Sequence, residues 1–479
     1  MKFNHNHTKW ILLALTIIAG VIRCFILDVI SLDLEEQQIW FCGIQHTPFD
    51  TLLLLLKIKP FCLILTITSW ITCWDGIFIE MLNRGVSVLA GILSVPLIFI
   101  LARKFYSEIE GLISAGFISF SWICILTSLN IAEHSLLVMN ALLYFIALIT
   151  MLDNISEDGF VSKQENTFFI LTGILLGFTS VWGILIIFVS FFYLLFFIKK
   201  LNIFLKTLAR FSCIIIPIGL LFGVGLQHNI YSLNNYSSLD YITYISNAIS
   251  NNYLISIVLI SPIFYLIFVY IHRLFSKEEF GEDAKTKFNN STLVVAIWLV
   301  GSVLGFILLT YLLKISFSLS DLVFILPPLF ILISRSIVLI SSKQKYQIII
   351  SSVFGLLLLL SVFINWDNIN SKPEYDQMSR FLMCDKNNFS IFVSKHNGFP
   401  KEAKKYYLNK NNIKKPIFQL DNVDNAIQEG RSQKVDYIWF IADNNSDKEI
   451  VSELYKKKLI SGGYRYKGVT IYKLKTKNN

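Results

Sequence analysis

Ile30-Ser-Leu-Asp-Leu-Glu-Glu-Gln-Gln-Ile-Trp40 is the first polar stretch after a long apolar one, and it groups the carboxylates Asp33, Glu35 and Glu36. What precedes it decides how it is read. Residues 1–9 are polar and carry Lys2 and Lys9; an apolar run then extends from Trp10 to about Ile30. The layout is that of a signal peptide, but the apolar part is too long and no small-x-small cleavage site follows it. It therefore reads as an uncleaved first transmembrane helix. Arg23 and Asp28, in its outer half, are expected to reach the interface or to pair with other groups there. The three carboxylates then sit at a membrane face. Asp33 followed by Glu36 fits a capping box that opens a short helix, with acids at the positive end of its dipole. The same cluster also fits a general base facing a lipid-borne substrate.

Composition agrees with a polytopic membrane protein. Of 479 residues, 54% are hydrophobic and 16% charged, and the mean hydropathy is +0.59. Such a chain is not a soluble domain. The formal charge of +9 is concentrated near the C-terminus: from Trp366 onward, Lys and Arg outnumber Asp and Glu by 21 to 13. No aromatic-interleaved basic groove accompanies it, so nucleic acid is not an expected partner. The seven cysteines show no metal-site spacing, which argues against a zinc site. Cys42, Cys62 and Cys73 share one loop and could pair in an oxidising compartment.

Residues 31–84 form a long loop. The apolar piece from Phe61 to Trp74 is short for a span, and Pro60, Trp70 and Trp74 suggest a helix lying in the interface. If it crossed the membrane instead, everything downstream would invert. Further spans read as 85–102, 111–128, 135–152, 211–226, 253–271, 293–313, 322–340 and 346–365. The apolar run 168–198 is too long for one helix rising 1.5 Å per residue across a core of about 30 Å. It divides near Trp182-Gly183, giving about eleven spans. Lys and Arg in the short loops set the orientation. Lys2, Lys9, Arg103, Lys104, Lys163, Lys199, Lys200, Arg210, Arg273 and Lys343 fall on one side. The opposite loops hold only Lys57, Lys59, Arg84 and Lys314. This predicts a multi-pass protein of the inner or plasma membrane with a cytoplasmic N-terminus. Loop 31–84 and the region after Trp366 are then extracytoplasmic. That last region reads as a small α/β domain with a mostly parallel sheet: strands at 389–394, 416–420, 435–442 and 468–474, helices at 400–408, 422–429 and 446–459. The predicted domains are thus 1–365 and 366–479.

Several local patterns, in this order, resemble the GT-C membrane glycosyltransferases, in particular the family-39, protein-O-mannosyltransferase-like (PMT) and ArnT-like branch. Leu34-Glu35-Glu36 stands where that family has Leu-Asp-Glu after its first helix, and Lys59-Pro60-Phe61 where it often has His-Pro-Pro. Asn83-Arg84-Gly85-Val86-Ser87-Val88-Leu89-Ala90-Gly91 resembles its Arg-x-x-Ser-x-x-x-Gly lead into the second helix. Gly173-Ile174-Leu175-Leu176-Gly177-Phe178 and Phe324-Ile325-Leu326-Pro327-Pro328 resemble its fifth-helix and late Leu-Pro motifs. The resemblance implies transfer of a sugar from a polyprenyl-phosphate carrier to a lipid, glycan or protein acceptor on the outer face, with inversion. It implies Glu35 as the base, with Asp33, Glu36 and Glu133 as further catalytic acids. Arg84 would hold the phosphate, with Lys57, Lys59 and His134 as secondary ligands. No cofactor is required by the sequence; a divalent cation such as Mg or Mn is compatible, and its ligands are unknown.

The departures are specific. The family's catalytic Asp appears as Glu35, one methylene longer, and Ser320-Asp321 replaces the usual basic or aromatic residue before the late Pro motif. Asn130-Ile131-Ala132-Glu133-His134 represents the family's second polar cluster. The alternatives from other classes are a non-catalytic membrane scaffold and a lipid-linked-sugar transporter or flippase. Against transport stand the lack of an internal repeat and of paired Gly/Pro-broken helices.

Overall fold

The computed structural model of the chain describes residues 5–27, 79–130, 133–157, 162–197, 209–216, 238–250, 252–275, 282–313, 319–340 and 343–365. Beyond these it describes 378, 381–382, 389–394, 417–420, 427–428, 431–432, 435–443, 448–457, 459–466 and 469–475. Two compact units result, with the main division after Asn365.

The first unit is helical throughout its described residues. Its helices are α1 (His5–Leu27), α2 (Ile79–Phe105), α3 (Glu108–Phe120), α4 (Trp122–Ser128), α5 (His134–Glu157), α6 (Lys163–Gly177) and α7 (Val181–Phe197). They continue with α8 (Ser238–Ser250), α9 (Tyr253–Phe275), α10 (Glu282–Leu313), a 3-10 segment (Leu319–Ile325), α11 (Leu326–Ile340) and α12 (Gln344–Ile364). Among the described residues, six helical segments are long and apolar enough to cross a membrane, seven if α3 and α4 count as one span. Two shorter apolar stretches, Val181–Phe191 and Leu254–Val269, add to these.

Burial separates centre from periphery. In the window Leu319–Ile340, 78% of residues are buried, against 17% in Asn6–Phe25 and 28% in Gln344–Ile364. The 3-10 segment and α11 therefore form the centre. Pro327 and Pro328 fall in the first turn of α11, where a missing N–H costs no helical bond. Trp10, Phe25, Leu304, Tyr311 and Phe363 are exposed, as expected of residues whose solvent is lipid. Inside, Phe145 stacks on Trp298 with ring centroids 3.8 Å apart. Phe117 of α3 meets Phe330 of α11 at 5.8 Å and Phe354 of α12 at 6.3 Å.

Two local readings change. The span predicted at 111–128 is broken at Ser121, where the backbone turns extended (φ −67°, ψ 122°) and α3 and α4 diverge by 60°. Trp122 is buried directly after the break. The division of run 168–198 falls at Phe178–Ser180, not at Trp182-Gly183. Gly183 lies in the first turn of α7 against the Leu176 carbonyl, where a Cβ would not fit. Between the spans predicted at 211–226 and 253–271, Ser238–Ser250 is helical. Asn252 then caps α9, its Oδ1 accepting from the Leu254 N–H at 3.0 Å.

The loop before α6 supplies a stability test. Ser162 and Glu165 form a reciprocal capping box. The Asn154 side-chain amide, the Ser162 backbone N–H and the Ser162 hydroxyl hold the Glu165 carboxyl below the ordinary range. Ser162→Ala should cost about 0.5–2 kcal/mol. A lowered folded-state value means that the Glu165 contribution is complete above the unfolded value, about pH 4.3, and disappears as pH falls through the lowered one. The gap in thermal midpoint between wild type and Glu165→Gln should accordingly narrow in acid.

The second unit is built on a five-stranded sheet: β1 (Phe389–Ser394), β2 (Ile417–Leu420), β3 (Tyr437–Asp443), β4 (Ile460–Tyr466) and β5 (Val469–Lys475), in the order β2-β1-β3-β5-β4. β2-β1-β3 is parallel, whereas β5 and β4 run antiparallel. The sheet is therefore mixed rather than mostly parallel, because β4 and β5 join as a hairpin. Strand alternation buries both faces. Phe392, Ile438, Phe440 and Leu474 pack with Leu454 of α13 (Lys448–Lys456) on one side. Ile391, Trp439 and Ile471 are buried on the other.

Candidate functional site

Buried polar groups of the first unit stand near the starts of α2, α5 and α7. Arg84, in the second turn of α2, is only 1% exposed. A snorkelling anchor would keep its guanidinium at water, so Arg84 is held by the protein. It starts a buried polar row along one face of α2: Arg84, Ser87, Gly91 and Ser94 recur at the helical period.

His134 opens α5 and is buried. Its Nδ1 lies 3.8 Å from Asp321 Oδ1, in the 3-10 segment, too long for a hydrogen bond. The same Oδ1 accepts from Trp182 Nε1 at 3.0 Å, so the first turn of α7 fixes the carboxylate. Trp182 is in turn held by stacking on Phe324, with centroids 5.7 Å apart and planes 10° apart. His134, Asp321 and Trp182 thus bring three helix starts to one point. The Asn140 side-chain amide donates to Thr179 Oγ1 at 2.8 Å and ties α5 to the α6–α7 turn.

Of the sequence-predicted site residues, Arg84 and His134 are buried and Glu133 is half-buried next to His134. Asp33, Glu35, Glu36, Lys57 and Lys59 lie outside the described residues, as do Cys42, Cys62 and Cys73. Among the described residues no group of three or more His, Cys, Asp or Glu could hold a metal ion. Sequence reasoning noted Asp321 only as a departure from a motif. Its one available signal was an acid immediately ahead of an apolar Pro-Pro helix. Trp182 carried no signal, since its partner is 139 residues away. Arg23, expected to reach the interface or to pair with other groups there, is fully buried and paired, donating from Nε to Ser128 Oγ at 3.1 Å.

No protein-family model matches the chain, and no curated protein sequence does. Solved structures do, over almost its whole length, and they show the fold: the chain has a GT-C-type fold. It is similar to ArnT of Cupriavidus metallidurans in the apo state, at a TM-score of 0.59 and 10% identity, covering 97% of this chain and 98% of that one. The same enzyme bound to undecaprenyl phosphate matches at 0.57 and 10% identity, with the same coverage of 97% and 98%. The Archaeoglobus fulgidus oligosaccharyltransferase in complex with Zn and sulfate matches at 0.52 and 11% identity, over 96% of this chain and 72% of that one.

Proposed function

We propose that this chain is an integral-membrane glycosyltransferase that moves a sugar from a polyprenyl-phosphate carrier to an extracytoplasmic lipid, glycan or protein acceptor. The observation that carries the proposal is the match to ArnT over 97% of this chain and 98% of that one, with undecaprenyl phosphate bound in one ArnT structure. The charge bias of the short loops supports an outward-facing reaction with a cytoplasmic N-terminus. Residues 1–365 would then form the transferase domain and 366–479 an extracytoplasmic one.

In the reaction, Glu35 takes the proton of the acceptor hydroxyl as its oxygen attacks the anomeric carbon. The bond from that carbon to the carrier phosphate oxygen breaks, and the electron pair leaves with the phosphate. Configuration inverts. Arg84 holds the departing phosphate, because a guanidinium offers paired donors to its oxygens. Lys57, Lys59 and His134 add positive charge or donors around it. Asp33, Glu36 and Glu133 orient the acceptor; were a divalent cation bound, these carboxylates would hold it and it would supply positive charge for the leaving phosphate.

The test is an outer-face transfer assay in proteoliposomes with radiolabelled polyprenyl-phosphate sugars and lipid, glycan and peptide acceptors. Label should leave the carrier only in vesicles that contain the protein. Movement of intact labelled carrier between leaflets, without transfer, would replace the proposal with a flippase. Binding with neither outcome would favour a scaffold.

A further inference from the structure

The proposed transfer gives Asp321 no role, yet this acid stands against a residue that the transfer uses. His134 is buried, and its Nδ1 is shut off from solvent without a hydrogen-bond partner. Asp321 Oδ1 lies 3.8 Å from that nitrogen. A bare Nδ1 would turn its lone pair toward a carboxylate oxygen and be repelled; an Nδ1–H is attracted. Such a neighbour sets which ring nitrogen of a histidine carries the proton. The carboxylate is not the part that adjusts. The same Oδ1 accepts from Trp182 Nε1 at 3.0 Å, and the indole packs on Phe324 and Phe306, with ring centroids 5.7 and 4.9 Å away. A carboxylate oxygen can accept more than one donor. A shift of the imidazole by about 1 Å brings Nδ1 into hydrogen-bond range.

We propose that Asp321, fixed by Trp182, is the positioning residue of His134: it takes the Nδ1–H and leaves Nε2 as the nitrogen that meets a ligand. Under the transferase reading, on which this point alone rests, that ligand is the carrier phosphate. A histidine donates to a carboxylate and a phosphate together only with a proton on each nitrogen. In the loaded protein His134 is thus an imidazolium that donates from Nδ1 to Asp321 and from Nε2 to a phosphate oxygen. Asp321 acts through His134, by deciding which nitrogen faces the ligand. That gives a reason for an acid where the resembled family has a basic or aromatic residue.

The first experiment needs no substrate. It is solid-state nitrogen-15 NMR of the histidine-labelled full-length protein in proteoliposomes at about pH 8.5, well above the ordinary histidine value. His134→Gln identifies the His134 signals among those of the seven histidines. His134 should carry its proton on Nδ1 in wild type and on Nε2 in the double variant Asp321→Leu, Trp182→Phe, which removes the carboxylate together with the indole N–H that it pairs with. A wild-type proton on Nε2 alone, or one that stays on Nδ1 in the double variant, would overturn the inference. Should the double variant not fold, the wild-type spectrum decides alone. The second experiment is the transfer assay. There the double variant should lose about 10–100-fold, the scale on which partners behind a ligating histidine act; undiminished transfer would overturn the positioning role. Wild type without any transfer would instead sink the transferase reading, and the nitrogen spectrum would still judge the contact between Asp321 and His134.

Discussion

Glu35→Gln is expected to lower sugar transfer by about 10²–10⁴-fold and to leave the unfolding midpoint and carrier binding close to wild type. Glutamine keeps the length and the planar head of glutamate but cannot take a proton at neutral pH. The variant therefore removes proton acceptance without removing bulk. A structural acid of a capping box would respond differently, because Gln fills that role almost as well. The two readings of the 30–40 stretch thus diverge in one measurement. The additional methylene of Glu relative to Asp matters for the same reason: a base must come within about 2.6–3.2 Å of the hydroxyl it serves. Glu35→Asp then reports whether this chain has adjusted its site to the longer side chain. Asp should lose activity here, although Asp is what the resembled family carries. Full activity in Glu35→Gln would end the assignment and direct the same substitution to Asp33 and Glu133.

The fold was legible where hydropathy alone decides the matter. An apolar run of 20 residues flanked by charge has one stable solution in lipid, a helix with every backbone bond internal. That is why the runs around 10–30, 85–102 and 135–152 foretell α1, α2 and α5. The break at Ser121 was not legible. Phe120-Ser121-Trp122 contains no Pro or Gly, and the turn is maintained by long-range partners such as Arg23, which takes the Ile118 carbonyl. β4 was missed because Gly462-Gly463 reads as a turn. In the sheet, Gly463 instead approaches the Ile471 carbonyl closely, with a Cβ placed 3.0 Å away. The candidate site divides in the same manner. Arg84 could be selected from its motif, and its burial is consistent with a held cation. Asp321 gained meaning only when folding brought it to His134 and Trp182. The acids and lysines of loop 31–84 were chosen by motif and lie outside the described residues.

Glu110→Ala is expected to destabilise the membrane unit by about 3–5 kcal/mol, the usual cost of leaving one member of a buried ion pair without its partner. Glu110 is fully buried near the start of α3, and its Oε1 accepts from Arg335 Nη1 of α11 at 2.6 Å. Its Oε2 accepts from the Ser107 hydroxyl. Arg335 also lies over the Tyr106 ring, 4.8 Å from the centroid. The Tyr106 hydroxyl donates to Thr292 Oγ1 of α10 at 3.3 Å. Burial pushes the Tyr106 phenol up to about 12, against the pull of Thr292 and Arg335. It therefore stays a neutral donor at any ordinary pH. Next along α3, Ser114 donates to Ser334 at 2.8 Å, a second polar tie to the central helix. Removing both charges should be milder than removing one, because the desolvation of the pair is then relieved as well. Glu110→Leu with Arg335→Met should recover much of what Glu110→Ala loses, and a full double-mutant cycle in thermal unfolding measures that coupling. If the losses simply add, the pair is not a unit and the estimate fails. The cluster lies beyond the end of α2 opposite to Arg84, about 30 Å away at 1.5 Å per residue. A variant here that still folds should retain the transfer chemistry, whereas Glu35→Gln should retain the fold and lose the chemistry.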